Sequence, residues 1–120
     1  MGVNDTRTKA NLESRGYTYW KTEYWCSFSR RRKDLLGFID ALGVQEGKPI
    51  IGVQTTSRGC ISARRAKILA SPLALLWLRA GQRIEIHGWD KHTPKGTRLL
   101  RWRVKVVEIT EEDFHGSEED

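Results

Sequence analysis

The sequence predicts a single α/β domain in which helices flank a central mixed β-sheet. Segments rich in aromatic and β-branched residues alternate in blocks with helical segments, in the order α-β-β-β-α-α-β-β. A chain of 120 residues has room for one domain, and 38% apolar with 30% charged residues is typical of a globular protein. No apolar run approaches the ~18 residues of a membrane span.

The first predicted helix covers residues 5–15. Asp5 or Thr6 could cap its start, and Gly16 could end it. Residues 17–26 are rich in aromatic residues and Thr, which favours a strand.

A basic loop, residues 27–33, precedes two strands that are predicted to pair as a hairpin. Residues 35–42 form a nearly continuous apolar run, which indicates a buried strand. Residues 45–49 have turn composition, and residues 50–56 form the next strand.

Two helices follow, over residues 60–70 and 72–80. Ser71 and Pro72 are typical of a cap and first helical residue, and Gly81 of a helix end. The alternating residues 82–88 predict a strand.

The predicted domain ends with a basic loop, residues 89–100, and an alternating strand, residues 101–110. Residues 111–120 are expected to be a flexible acidic tail outside the domain of residues 1–110. The tail holds six acids and no Lys or Arg, so a net charge of +6 becomes +12 for the domain. This charge favours a polyanionic partner, nucleic acid first.

The two cysteines, Cys26 and Cys60, lack the spacing of a metal or redox motif. They indicate reduced thiols in a cytoplasmic protein. His87 and His92 have no further Cys or His to complete a zinc set, and no motif supports a small-molecule enzyme.

Asp40 is the one charged residue in the apolar run of residues 35–42. A buried carboxylate is costly unless it is paired or bound to a cation. The hairpin is expected to place Asp40 beside Gln54 and Thr56, because residues two apart on a strand share a face. The cluster is either a satisfied hydrogen-bond network or a cation site.

Residues 37–57, with Asp40, Gln54, Thr56 and Ser57 at fixed spacing, resemble the core of PD-(D/E)xK nucleases. This superfamily includes Holliday junction resolvases, phage endonucleases and restriction enzymes. The resemblance covers roughly residues 5–90 and implies a restriction-endonuclease-like core of helix, three-stranded meander, helix and strand. It also implies a phage or mobile-element source, which would place the protein in the cytoplasm of a host cell.

The resemblance implies a site for Mg²⁺ or Mn²⁺ with Asp40 as its ligand. Gln54 stands at the family's second acid and could offer an amide oxygen, whereas Thr56 stands at the family's lysine. Since Gln54 brings no charge, a further acid is expected to help. The candidates are Asp34, Glu23, and Glu13 or Asp5 on the first helix.

The missing lysine is expected on the helix of residues 60–70, as in family members with a relocated lysine. Lys67 is the first choice, Arg64 shares its helix face, and Arg58 is nearer in sequence. Simple phosphate contact is the alternative role of this basic helix.

Three groups of cations are predicted to contact DNA, although a solvated surface is the alternative for each. Their members are Arg30, Arg31, Arg32 and Lys33, then Arg58, Arg64 and Arg65, and then Lys91 and Lys95. Exposed Trp or Tyr could stack on unpaired bases, whereas Trp20, Trp77 and Trp102 are expected in the core.

The predicted function is a metal-dependent DNA endonuclease acting on branched or structured DNA. In it, Asp40, Gln54, Thr56 and Lys67 form the catalytic set, and a homodimer would cut two strands. The alternative is a DNA-binding module or accessory subunit of the same fold without catalysis.

Overall fold

A mixed sheet of five strands forms the centre of the molecule, in a computed structural model that describes residues 3–96 and 98–115. The helices are α1 (Val3–Ser14), α2 (Ile61–Leu69), α3 (Pro72–Arg79) and α4 (Glu111–His115). The strands are β1 (Thr18–Lys21), β2 (Tyr24–Cys26), β3 (Arg31–Lys33), β4 (Ala41–Val44), β5 (Ile51–Ser57), β6 (Arg83–His92) and β7 (Arg101–Ile109). The sheet order is β1-β4-β5-β6-β7, with β5 and β6 parallel and the other neighbours antiparallel. The predicted α/β class is confirmed.

Helix α1 covers one face of the sheet, although its own apolar stripe is thin. Leu12 is fully buried there against Tyr17, Ile51 and Val53. Gly43 on β4 permits the close approach, because an added Cβ would lie 3.2 Å from Leu12 Cδ2. The helix begins at Val3, so Asp5 lies in its first turn rather than at its cap.

Helices α2 and α3 cover the opposite face and connect β5 to its parallel neighbour β6. Their core is aliphatic and includes Ile61, Ile68 and Ala74, which pack against Ile84 and Ile86 of β6. Pro72 stands at the first turn of α3, as predicted, and Gly81 follows the helix at φ +92°. No helix among the described residues has the length and apolar character needed to cross a membrane.

The predicted strand over residues 17–26 is wrong in one respect, because it is two strands in two sheets. β1 pairs with β4, whereas β2 pairs with β3 in a separate two-stranded hairpin. The chain leaves the sheet at Thr22 and Glu23, whose N–H groups donate to the Asp40 carbonyl. Arg31–Lys33, expected in a loop, therefore forms a strand.

The predicted strand over residues 35–42 is also wrong for most of its length. Residues 35–40 form a compact turn closed by a bridge between Leu35 and Ile39, with Leu36 and Gly37 at positive φ. Phe38 and Ile39 are buried in the core beneath α2 and α3. The apolar run of residues 35–42 therefore indicates that side chains are buried there, not that the backbone is extended.

The last part of the chain is more ordered than its composition suggested. β6 continues to His92, four residues into the predicted loop, and pairs with β7 from Ile84 to His92. Residues 111–115, expected as tail, form α4; Phe114 packs on the core, and Asp113 pairs with Arg65 at 2.9 Å. Residues 116–120 of the predicted tail lie outside the described residues.

Two tryptophans expected in the core lie at the surface. Trp20 is 68% exposed on the edge strand β1, and Trp102 is 39% exposed on β7. Trp77 is half-buried, and its indole N–H donates to the Arg83 carbonyl at 2.7 Å.

Candidate functional site

Asp40 is fixed by its backbone at the point where β1, β4 and β5 meet. Its N–H donates to the Val53 carbonyl at 2.8 Å, and its carbonyl accepts from Thr22 and Glu23 at 2.9 and 3.1 Å. The residue is only 4% exposed. The local turn of residues 35–40 thus delivers one carboxylate to a defined place at the end of the sheet.

The Asp40 carboxylate receives three donors from β5 on a single oxygen. Oδ2 accepts from Gln54 Nε2 at 3.0 Å, from the Thr55 N–H at 2.9 Å and from the Thr55 hydroxyl at 3.4 Å. The expected contact with Gln54 is therefore present, but Thr55 takes the place predicted for Thr56. Thr56 is buried and points to the other face of β5 from Thr55.

Two further acids approach Asp40. The Thr55 hydroxyl also lies 3.2 Å from Oδ1 of Asp5, so it stands between two carboxylates. Glu23 lies close enough to interact with Asp40 directly, and Arg32 donates to Glu23 at 2.8 Å. Lys21 is the cation of this cluster, with Nζ 3.3 Å from Asp5 Oδ2.

Burial and the neighbouring acid change the acidity of the cluster. Burial raises the pKa of Asp40 to about 7, with a further increase from Glu23, against the hydrogen bonds from Thr55 and Gln54. Burial also raises the pKa of Tyr19 to about 12, together with the negative charges of Asp5, Asp40 and Glu23. Tyr19 therefore stays a neutral phenol amid three acids.

Two oxygen atoms in this region have no hydrogen-bond partner among the described residues. They are the buried Oε1 of Gln54 and the buried hydroxyl of Tyr19. Unsatisfied buried acceptors are rare because each costs the free energy of its lost hydration. Gln54 Oε1 is therefore a candidate ligand atom beside the Asp40 carboxylate.

The other predicted ligands lie elsewhere. Glu13 is exposed and stands eight residues beyond Asp5 on α1, about 12 Å along the helix. Asp34 is half-buried in the chain leading to Asp40, and no described hydrogen bond or ion pair joins the two. Within residues 3–96 and 98–115, no group of three His, Cys, Asp or Glu side chains is arranged to hold a metal ion.

Lys67 does not join the cluster either. α2 starts beyond the end of β5 that carries Thr55 and runs back along the sheet, so Lys67 in its last turn lies about 9 Å from the start of the helix. Its side chain is exposed. Lys21, which the sequence reasoning missed, is the amine beside the acids. Its only signal in the sequence was a lysine within the aromatic segment of residues 17–26.

A buried hydrogen-bond chain fixes α1, and with it Asp5, to the sheet. The Trp89 indole donates to the Thr8 hydroxyl at 3.1 Å, and that hydroxyl is hydrogen-bonded to His87 Nδ1 at 3.3 Å. His87 Nε2 is in turn hydrogen-bonded to Glu85 Oε1 at 2.9 Å. Arg15, one residue beyond α1, closes the chain with two bonds to Glu85 at 2.9 and 2.8 Å.

The predicted DNA-contacting cations have different surroundings. Arg30 to Lys33 lie on the exposed turn and strand β3, and Arg58 follows β5 at the same end of the sheet as Asp40. Lys91 and Lys95 are exposed on the β6–β7 hairpin, where Lys91 lies 4.9 Å from the Trp102 ring centroid. Arg64 is half-buried on α2, and Arg65 is paired with Asp113.

Comparison with known proteins adds no assignment. No protein-family model, curated protein or solved structure matches the chain significantly.

Proposed function

We propose that the protein is a metal-dependent DNA endonuclease of the PD-(D/E)xK type, with Asp40 as the principal metal ligand. The observation that carries this proposal is the buried Asp40 carboxylate beside the unpartnered oxygen of Gln54, with Glu23 bonded through its N–H to the Asp40 carbonyl at 3.1 Å. Two carboxylates in a half-buried site repel each other, and a divalent cation would relieve that repulsion.

The topology supports the same proposal. A helix, the antiparallel meander β1-β4-β5, two crossover helices and the parallel strand β6 follow one another in the order that the resemblance implies. Asp40 lies directly before the second meander strand, and Gln54 lies in the third. The hairpin β2–β3 is an insertion between the first and second of these strands.

The chemistry of the donor atoms fits Mg²⁺ or Mn²⁺. Asp40 and Glu23 offer carboxylate oxygens and Gln54 offers an amide oxygen, which hard cations prefer. A bound Mg²⁺ would orient and activate a water molecule and offset charge on the phosphate. Asp5 is linked to this set through the Thr55 hydroxyl, which lies 3.2 Å from Asp5 Oδ1 and 3.4 Å from Asp40 Oδ2.

Lys21 takes the role that the family's lysine has elsewhere. Its ammonium group lies 3.3 Å from Asp5 and its side chain is 24% exposed, so it is held by the cluster yet open to solvent. From there it would stabilise negative charge on a phosphate bound at Asp40. Arg58 and Arg30 to Lys33 would hold the flanking DNA backbone.

The test is cleavage of plasmid and four-way-junction DNA in Mg²⁺ or Mn²⁺. We expect Asp40→Ala to lower the cleavage rate about 100-fold or more. Glu13→Ala is the control and should cut like wild type, since Glu13 is exposed far along α1. Undiminished cutting by Asp40→Ala would overturn the site assignment.

A DNA-binding module without catalysis is the second candidate. It is favoured by Gln54 and Thr56 at the positions of an acid and a lysine, and by the three protein donors already on Asp40 Oδ2. The same experiment separates the two functions. Wild type that binds DNA but never cuts it would exclude the endonuclease and leave the module.

A further inference from the structure

The hairpin of residues 24–33, here called the aromatic hairpin, exposes three large aromatic side chains. Phe28 in its turn is 98% exposed, Trp25 60% and Tyr24 56%. Among the residues that the structure describes, β2 and β3 pair only with each other, and an isolated two-stranded hairpin is marginally stable in water. Aromatic side chains kept on such an element form no part of the core, which indicates a binding surface.

The charge of the aromatic hairpin identifies the kind of partner. Residues 24–33 contain four cations and no acid. Arg30, Arg31 and Lys33 are exposed and form no ion pair with the described residues, whereas Arg32 is bonded to Glu23. Tyr24 lies opposite Lys33 in the hairpin and Cys26 opposite Arg31, so the Tyr24 ring shares a face with these two cations. Trp25 lies opposite Arg32 on the other face. An aromatic ring beside unpaired cations complements a polyanion whose units have flat apolar faces, which is a nucleic acid.

The aromatic hairpin also lies directly beside the candidate site. Tyr24 follows Glu23, the acid next to Asp40, and Arg32 bonds Glu23 at 2.8 Å across the base of the hairpin. A nucleotide held on the hairpin would therefore lie close to a phosphate bound at Asp40.

We propose that the aromatic hairpin binds unpaired nucleotides of DNA. Tyr24 and Phe28 stack on exposed bases, while Arg30 beside Phe28 and Arg31 and Lys33 on the face of Tyr24 contact the adjoining phosphates. Bases inside a duplex are stacked on one another and offer no free face, so the hairpin selects strand ends, flaps and junction centres. The proposal rests on the proposed function for its nucleic-acid substrate, but it concerns binding and not cleavage.

The test is the affinity for labelled DNA by fluorescence anisotropy, in EDTA and at constant salt. The probes are a 20-nucleotide single strand, the matching duplex, and that duplex with a central unpaired segment. We expect Tyr24→Ala and Phe28→Ala each to weaken binding to the single strand and to the duplex with an unpaired segment about 5-fold to 100-fold. Duplex affinity should change less than about twofold, because phosphate contacts dominate it.

Three controls make the result specific. Phe28→Tyr keeps a stacking ring and should bind like wild type. Leu76→Ala removes another exposed apolar side chain, 62% exposed on α3, and should leave all three affinities unchanged. Circular dichroism of every variant measures whether the fold persists. We expect it to persist, because both aromatic substitutions lie outside the core clusters.

The proposal would be overturned if the alanine variants lost affinity equally for the single strand and the duplex, or lost no affinity for either. So would loss of self-association in Phe28→Ala with unchanged DNA affinity, which would assign the hairpin to a second copy of the chain. Since EDTA removes divalent metal, absence of cleavage does not affect this test. Hairpin-dependent binding by a protein that never cuts would overturn the endonuclease alone.

Discussion

Gln54 donates from Nε2 to Oδ2 of Asp40 at 3.0 Å, and this bond leaves its amide oxygen buried without a partner among the described residues. The Thr55 N–H donates to the same oxygen, so Oδ2 is an acceptor and faces the amide nitrogen of Gln54. The Asp40 carboxylate, the Gln54 amide oxygen and Glu23 thus lie close together. At this place the sequence has one carboxylate fewer than the nuclease signature, because Gln54 stands at the position of the second acid.

Gln54→Glu should strengthen cation binding, because it adds a carboxylate at the unpartnered oxygen. We expect half-maximal cleavage at an at least about tenfold lower Mg²⁺ concentration. Without metal the variant should melt below wild type, because the new charge repels Asp40. An unchanged Mg²⁺ dependence, with Gln54→Ala also unchanged, would show that this residue does not face the cation.

The contribution of Asp40 to the stability of the metal-free protein should fall as pH rises from about 4 to about 7. The pKa of Asp40 is about 7 in the fold, raised mainly by burial from its ordinary 3.8, so the folded state holds a proton that the unfolded chain releases in this range. Asp40→Asn lacks this titration. The melting temperature of Asp40→Asn minus that of wild type should therefore increase between pH 4 and 8. If the melting temperatures of the two proteins changed in parallel with pH, the raised pKa of Asp40 would be contradicted.

Glu85→Gln should destabilise the fold by about 1–3 kcal/mol at neutral pH, because it removes the buried charge that pairs with the Arg15 guanidinium, whose side chain is 32% exposed. Burial would raise the pKa of Glu85, but hydrogen bonds from His87 and Arg15 outweigh it and lower the pKa to about 2. The contribution of Glu85 to the free energy of unfolding is thus complete above about pH 4.5 and is lost as pH falls toward 2. Urea unfolding at pH 7 and pH 3 measures it.

Glu108→Gln is the matched control for that experiment. Glu108 bonds Arg83 at 2.8 Å but is 42% exposed, so its removal should cost less than about 1 kcal/mol. Equal losses for the two variants would mean that the Glu85 chain does not hold α1 on the sheet.

Gly88→Ala should destabilise the protein by about 1–3 kcal/mol. A Cβ on Gly88 would clash with the Ile61 side chain and lie 3.1 Å from the Arg58 Cα, so α2 and the preceding turn would have to move off β6. Gly59→Ala, which meets open space in that turn, should change stability by less than about 0.5 kcal/mol. Thermal unfolding of both variants is the measurement.

Strand and helix patterns sufficed for the α/β class because the crossover helices and β5 to β7 each have a clear period, and Pro72 and Gly81 mark the two ends of α3. They failed at residues 35–40, where burial made a turn as apolar as a strand. The split of residues 17–26 was equally hidden, since aromatic residues suit a hairpin exposed to solvent as well as a core strand.

The candidate site was predictable in part. Spacing alone placed Asp40 beside Gln54, because the turn of residues 45–49 fixes the register of β4 and β5. Asp5 was not separable from the alternatives, since its position depends on how α1 docks. That docking is set by contacts between Thr8 and His87, 79 positions apart.

The most direct test of the central claim is a crystal structure of the protein soaked in Mn²⁺, with anomalous scattering used to locate the ion. The account predicts one Mn²⁺ bonded to the Asp40 carboxylate and to Gln54 Oε1, with Glu23 adjacent. A structure without Mn²⁺ at Asp40, at a concentration that supports cleavage, would contradict it.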